Sequence, residues 1–326
     1  MTSDASGHTS LPTIMPAVGS SVPALFLQSG EKASRRLLEW LTADIRNPNT
    51  RQSYARAIQR FSAWCHEHGL RLEQLTPIHA AAYVESLGRE LAKPTVKQHL
   101  AALRMLGNYL ITGQVIVSNP FGPVRGPKYV VKKGKTPVLT AEEMRQLLAS
   151  IDTETIAGKR DAALIAVMAY SFARISAVLG MDVGDYRLQG KRCWLALHEK
   201  GGKEHEVPCH HKAEEYLDAY IQAAGIGQDC DSPLFRTLDR RKRLTTDRLD
   251  RREALAMVKR RSLAAGLGVR LCNHSFRATG ITVYLQNEGT IEKAQAIAAH
   301  ESPRTTKLYD RTQDELTLDE IERIRF

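Results

Sequence analysis

The chain has 326 residues, 43% hydrophobic and 25% charged, and Lys plus Arg exceed Asp plus Glu by 46 to 36, a formal net charge of +10. This is the composition of a soluble globular protein, long enough for two domains of ordinary size. The basic balance favours an anionic partner, nucleic acid before a membrane surface, because no lipidation motif or basic amphipathic anchor accompanies it.

In chain order, residues 1–30 are rich in Ser, Thr, Pro and Gly and lack the basic start and apolar run of a signal peptide, so they read as a flexible tail. Helices are predicted over Arg35–Ala43 and Thr50–His68, the second carrying Tyr54, Ile58, Phe61 and Cys65 at helical spacing, with Asn49 or Thr50 as its cap and Gly69 as its stop. Two more are predicted over Ile78–Leu91 and from Pro94 to about Thr112, the latter with Val96, Leu100, Leu103, Leu106 and Leu110 in one stripe. Four helices with short connections make residues 31–121 a small helical bundle. Residues 122–137 read as a linker, punctuated by Gly and Pro and charged by Arg125, Lys128, Lys132, Lys133 and Lys135. It is either a solvated connection or a strap that lies along a phosphate backbone.

The second domain is expected over residues 138–326, with a C-terminal tail from 312. Thr140 and Glu143 form a capping box for a helix through Ser150, and a helix is predicted over Lys159–Phe172. Its most apolar part, Ala162 to Tyr170, is far too short to cross a bilayer, so no membrane partner is expected. Lys191–His198 and Glu204–Cys209 alternate as two strands of a hairpin, with Lys200-Gly201-Gly202-Lys203 at the turn. Further helices are predicted over His211–Ala224, Thr245–Ala265, Ser275–Gln286 and Ile291–Ala299. The five cysteines (Cys65, Cys193, Cys209, Cys230, Cys272) are scattered and odd in number, the pattern of a reduced cytoplasmic protein, and Cys209-His210-His211 reads as a solvated turn rather than a metal site.

Six groups carry the chemistry. His274 and Arg277 lie three apart on one helix face, and Tyr309 follows His300 by nine residues. A planar cation to grip phosphate oxygens, imidazoles to move protons or donate hydrogen bonds, and a phenol as nucleophile are what attack on a phosphodiester needs. Arg174 ends an apolar segment and needs a counter-charge, either a structural one (Asp182 or Asp185) or a ligand phosphate. Lys200 at the hairpin turn could reach a DNA groove and protonate a leaving oxygen, and Lys203 competes for that role. The clusters Arg240-Arg241-Lys242-Arg243 and Lys259-Arg260-Arg261 are either phosphate contacts or solvated helix faces.

On Ala173-Arg174-Ile175-Ser176, Glu199-Lys200-Gly201-Gly202-Lys203-Glu204, His274-Ser275-Phe276-Arg277 and Ala299-His300 to Tyr309, the chain resembles a tyrosine recombinase of the phage-integrase family, from about Thr50 to the C-terminus. Two departures stand out: Phe172-Ala173 replaces the usual Gly-Leu before the arginine, and Ala177 replaces a common glutamate after it. The resemblance implies a mainly α fold with a small antiparallel sheet, in which an N-terminal SAM-like DNA-binding bundle precedes a catalytic domain. It implies Arg174, Lys200, His274, Arg277, His300 and Tyr309 as catalytic residues, Lys200 rather than Lys203 being the lysine before the glycines. Tyr309 would form a 3′-phosphotyrosyl link, the arginines and His300 would hold the non-bridging oxygens, Lys200 would protonate the leaving 5′ oxygen, and His274 would assist the tyrosine or orient the phosphate. Arg125, Lys128, Lys132, Lys133, Arg240, Arg241 and Arg243 are candidate DNA contacts. With neither a metal-ligand set nor a Gly-rich nucleotide loop, no cofactor is expected. The expected partners are double-stranded DNA and further copies of the chain: a homotetramer on two paired sites, monomeric or weakly associated when free. Leu316 to Phe326 would dock on a neighbouring protomer or pack on its own domain. Relaxation of DNA in the manner of a type IB topoisomerase, and sequence-specific binding without catalysis, are the competing readings.

Overall fold

The structure is a computed structural model that describes residues 22–131, 134–199, 203–267 and 270–310. It is mainly helical with two small antiparallel sheets, and contacts divide the chain into two compact units between Val130 and Val131. No helix among the described residues is long and apolar enough to cross a membrane.

The first unit holds α1 (Ala24–Gln28), α2 (Glu31–Glu39, continued by a π turn over Trp40–Asp44), α3 (Pro48–Glu67), α4 (Pro77–Glu90) and α5 (Lys93–Thr112). The flexible tail expected through Gly30 is therefore too long. Leu25 and Phe26 of α1 are buried, and the Leu25 amide donates to Ser62 Oγ at 3.1 Å, so apolar burial orders a segment whose flanking residues read as loop. The cap of α3 is Asn47, whose side chain accepts from the amides of Asn49 and Thr50 with Pro48 in the first turn; the expected caps lie just inside the helix. The core is aromatic: Trp40 stacks on Tyr54 at 5.8 Å, and Phe61 meets the edges of Tyr83 and Phe121. Phe121 and Val124, the latter inside the segment read as linker, are buried in this core, and Arg104 donates to both of their carbonyls.

The second unit holds α6 (Ala141–Ala149), α7 (Ile156–Tyr170), α8 (Ile175–Gly180), β1 (Tyr186–Gln189), β2 (Arg192–Glu199), β3 (Lys203–Pro208), α9 (His211–Ala224), β4 (Arg236–Leu238), β5 (Leu244–Arg248), α10 (Arg251–Ala264), α11 (Asn273–Gln286), α12 (Ile291–Ile297) and α13 (Pro303–Lys307). Ala162 to Ala169 are all buried, so α7 is covered on every side and forms the axis of the unit. Helix α11 crosses it at Gly280, where a Cβ atom would come within 2.0 Å of the Ala169 carbonyl oxygen and 2.7 Å of the Phe172 ring. Asp161, also on α7, is buried between two guanidiniums, with Arg160 Nη2 at 2.7 Å and Arg261 Nη2 at 2.8 Å. A carboxylate so placed needs such partners to be tolerated.

The sheets differ from expectation at their edges. The hairpin β2–β3 pairs Glu199 with Lys203, and β1 adds a third strand on the far side of β2. The helix predicted from Thr245 begins only at Arg251. Residues 244–248 pair with 236–238 as a second hairpin, and Asp250 caps α10 by accepting from the amides of Arg252 and Glu253. Asp250 with Glu253 three residues on is the signal that would have placed this start.

Candidate active site

Helix α7 ends at Ser171, and the next residue, Phe172, takes the left-handed conformation (φ 54°). The chain turns sharply there, so that Arg174 becomes the N-cap of α8. A bulky residue in that region carries backbone strain of about 1–3 kcal/mol. The Phe172 side chain offsets it: the ring is buried, packs against Gly280 and meets Tyr284 edge-on at 5.9 Å.

The counter-charge of Arg174 is neither of the two aspartates that sequence proximity suggested. Asp182 bonds Arg248 Nη2 at 2.5 Å, and Asp185 faces His198 at 3.4 Å. Arg174 instead donates through Nη1 to Glu199 Oε2, at the end of β2. Glu199 is the charged partner at this site that sequence reasoning missed. The signal was there: Cys193, Leu195 and Leu197 alternate on the inward face of β2, and Glu199 continues that register.

Arg277, one turn into α11, is buried (2% exposed) and donates to two main-chain carbonyls, Nη1 to Phe172 and Nη2 to Ala298 at 2.7 Å. Burial and the charge of Arg174 pull its pKa down to about 10, while Glu199 and the phenol of Tyr309 push the other way, so it remains a cation at neutral pH. His274 keeps an exposed side chain, yet desolvation first and then Arg251, Arg277 and Arg174 hold its pKa below the usual imidazole value.

Helix α12 ends in a Schellman turn: Ala299 is left-handed (φ 48°), its amide donates to Ala296, and the His300 amide donates to Gln295. The turn places His300 in the interior, where Nδ1 lies 2.9 Å from Thr306 Oγ1. Burial, then Arg277 and Arg174, push the His300 pKa down to about 3, so the ring is neutral at physiological pH. Tyr309 lies parallel to it, with ring centroids 5.8 Å apart and planes 5° from parallel. Its amide donates to Thr306, and its carbonyl accepts from Thr282 Oγ1 of α11 at 2.8 Å.

Five of the six residues expected to be catalytic (Arg174, His274, Arg277, His300 and Tyr309) are thus brought together, and Lys200 lies outside the described residues. Among the candidate DNA contacts, Arg125 and Lys128 are exposed in the first unit, and Lys132 and Lys133 lie outside the described residues. Arg240, Arg241 and Arg243 are exposed at the β4–β5 hairpin tip, not on a helix face, with Arg243 paired to Asp239 at 2.9 Å. Arg261 is committed to buried Asp161 rather than to an outside partner. The described residues hold no group of three or more His, Cys, Asp or Glu side chains that could bind a metal ion.

Residues 137–315 match the phage integrase family, and residues 36–114 match the phage integrase N-terminal SAM-like domain. Tyrosine recombinase XerC of Chlamydia caviae is 28% identical over 229 residues, spanning 69% of this chain and 70% of that protein. A tyrosine recombinase of Synechococcus elongatus is 28% identical over 287 residues, spanning 84% and 88%. Among solved structures, the fold resembles XerH site-specific recombinase bound to a palindromic difH substrate (TM-score 0.70, 17% identity, 91% of this chain and 84% of that one). It also resembles a lambda integrase dimer bound to a COC′ core site (TM-score 0.66, 18% identity, 87% and 77%). The first family match alone spans more than half of the sequence, and the chain belongs to the phage integrase family, the tyrosine recombinases.

Proposed function

We propose that this protein is a site-specific recombinase that cuts and rejoins double-stranded DNA through a 3′-phosphotyrosyl link at Tyr309, in the cytoplasm and without a cofactor. The observation that carries this reading is the convergence of two arginines on a neutral histidine and a tyrosine held against it. Attack on a phosphodiester is slow because its anionic oxygens repel the nucleophile and the leaving alkoxide is poor, so positioning and charge stabilisation dominate. Arg174 and Arg277 take the non-bridging oxygens. If the Thr306 hydroxyl donates to His300 Nδ1, the remaining ring proton sits on Nε2, and a neutral His300 donates a hydrogen bond to the phosphate. His274, with its lowered pKa, accepts the phenol proton as Tyr309 attacks. Lys200 protonates the leaving 5′ oxygen. The phosphotyrosyl link conserves the energy of the phosphodiester, so a 5′-hydroxyl from a second duplex can reverse the step and exchange strands. The lambda integrase tetramer bound to a Holliday junction is the analogue for four copies acting on two paired sites. Arg125, Lys128, Lys132, Lys133, Arg240, Arg241 and Arg243 supply phosphate contacts.

The test uses a duplex site selected by the protein from a random-sequence library, then nicked so that the cut end is lost. Incubation in EDTA is expected to give a covalent protein–DNA adduct that Tyr309→Phe abolishes. An adduct that survives in Tyr309→Phe would overturn the assignment.

A further inference from the structure

The carboxylate of Glu199 has no place in the reaction as set out above, yet it is among the most buried charges in the second unit (side chain 3% exposed). An ionised carboxylate buried to that degree persists only with a cation and hydrogen bonds. Its partner is Arg174, through a charge-assisted bond. Ala177, one turn after Arg174, is apolar and fully buried, and helix α8 carries no acidic residue of its own. The acid that helix α8 lacks is supplied from β2, a different element.

Three features set what this carboxylate does. It holds only Nη1 of Arg174, and no bond among the described residues engages Nε or Nη2, which leaves a second edge of the guanidinium for a phosphate. It balances charge: the cation Arg174 lowers the pKa of Arg277, and Glu199 opposes that shift. It is also the last residue of β2 before Lys200, paired in register with Lys203. We propose that Glu199 is a positioning residue for strand cleavage: it orients the guanidinium of Arg174 toward the scissile phosphate by tying the end of β2 to the start of helix α8. This rests on the reading of Arg174 and Tyr309 given above. An anion beside a phosphate site does not help DNA to bind. Its contribution is to the geometry in which the phosphate is attacked.

The experiment compares Glu199→Gln and Glu199→Asp with the wild type on the selected, nicked duplex, measuring the dissociation constant and the single-turnover rate of adduct formation separately. Glu199→Gln keeps the shape and removes the charge. It is expected to bind DNA as tightly as wild type or more tightly, and to form adduct at least 10-fold more slowly. Glu199→Asp keeps the charge one methylene short, stands in should the glutamine variant fail to fold, and is expected to cleave several-fold more slowly at unchanged affinity. Either variant folding and cleaving at the wild-type rate would overturn the proposal, as would losses of affinity and rate in parallel, which mark a merely structural role. Tyr309→Phe serves as the control: an adduct that persists there indicts the site itself, whereas a Tyr309-dependent adduct indifferent to Glu199 indicts only this inference.

Discussion

The main-chain carbonyl of Phe172 receives Nη1 of Arg277, although 105 residues separate them in sequence. A residue at a helix end, strained into the left-handed region, thereby presents its oxygen to a buried cation, and the same turn sets Arg174 at the start of the next helix. The order of stability among variants at this position reports the turn directly. Phe172→Ala is expected to destabilise by about 3 kcal/mol through the lost ring. Phe172→Gly loses as much packing but relieves the left-handed strain, so it is expected to be more stable than the alanine variant by about 1 kcal/mol. Denaturant titration of the two variants checks this, and alanine outranking glycine would refute it.

Acid should weaken the second unit through its histidines. His300 has a folded-state pKa of about 3, and an unfolded imidazole titrates near 6.5. Between those values the unfolded chain binds more protons than the native one, so stability is lost as pH falls below about 6.5. The slope has an upper limit of about 1.4 kcal/mol per pH unit for one such group. His274 is shifted in the same direction and adds to the slope. Thermal unfolding between pH 7 and 4.5 should therefore show a shallower decline for His300→Gln than for wild type, and two parallel curves would contradict the account.

Tyr309 is tied to its own chain by Thr282, by Thr306 and by its parallel contact with His300. Each protomer is accordingly expected to cut with its own tyrosine. Mixing Tyr309→Phe with Arg174→Gln chains, each inactive alone, should restore no adduct on the selected duplex. Recovery of cleavage in the mixture would mean that the nucleophile crosses between protomers.

Much of the site was legible because its residues sit at spacings that local geometry controls. His274 and Arg277 share a helix face, and a short connection forces His300 and Tyr309 together. The apolar run before Arg174 announced both a buried helix and a cation in need of a partner. What stayed hidden depends on tertiary register. Asp182 and Asp185 were nearer to Arg174 in sequence, but Arg248 and His198 occupy them, and the carboxylate that reaches it comes from a strand. The strands β1, β4 and β5 are five residues or fewer, too short for alternation to declare itself against a helical reading. Helix α1 was lost for a related reason: five residues carry little pattern, and only the burial of Leu25 and Phe26 orders them.

Gly280 has a mechanical consequence for the chemistry. Helices α7 and α11 touch backbone to backbone there, with the Ala169 carbonyl where a side chain would begin. Arg174 lies a short way beyond that crossing, past the turn that ends α7, and Arg277 lies one turn before it on α11. The crossing thus acts as a gauge for the gap between the two guanidiniums. A methyl group at residue 280 would be a shim, prising the jaws apart by about an ångström without removing a single reactive side chain.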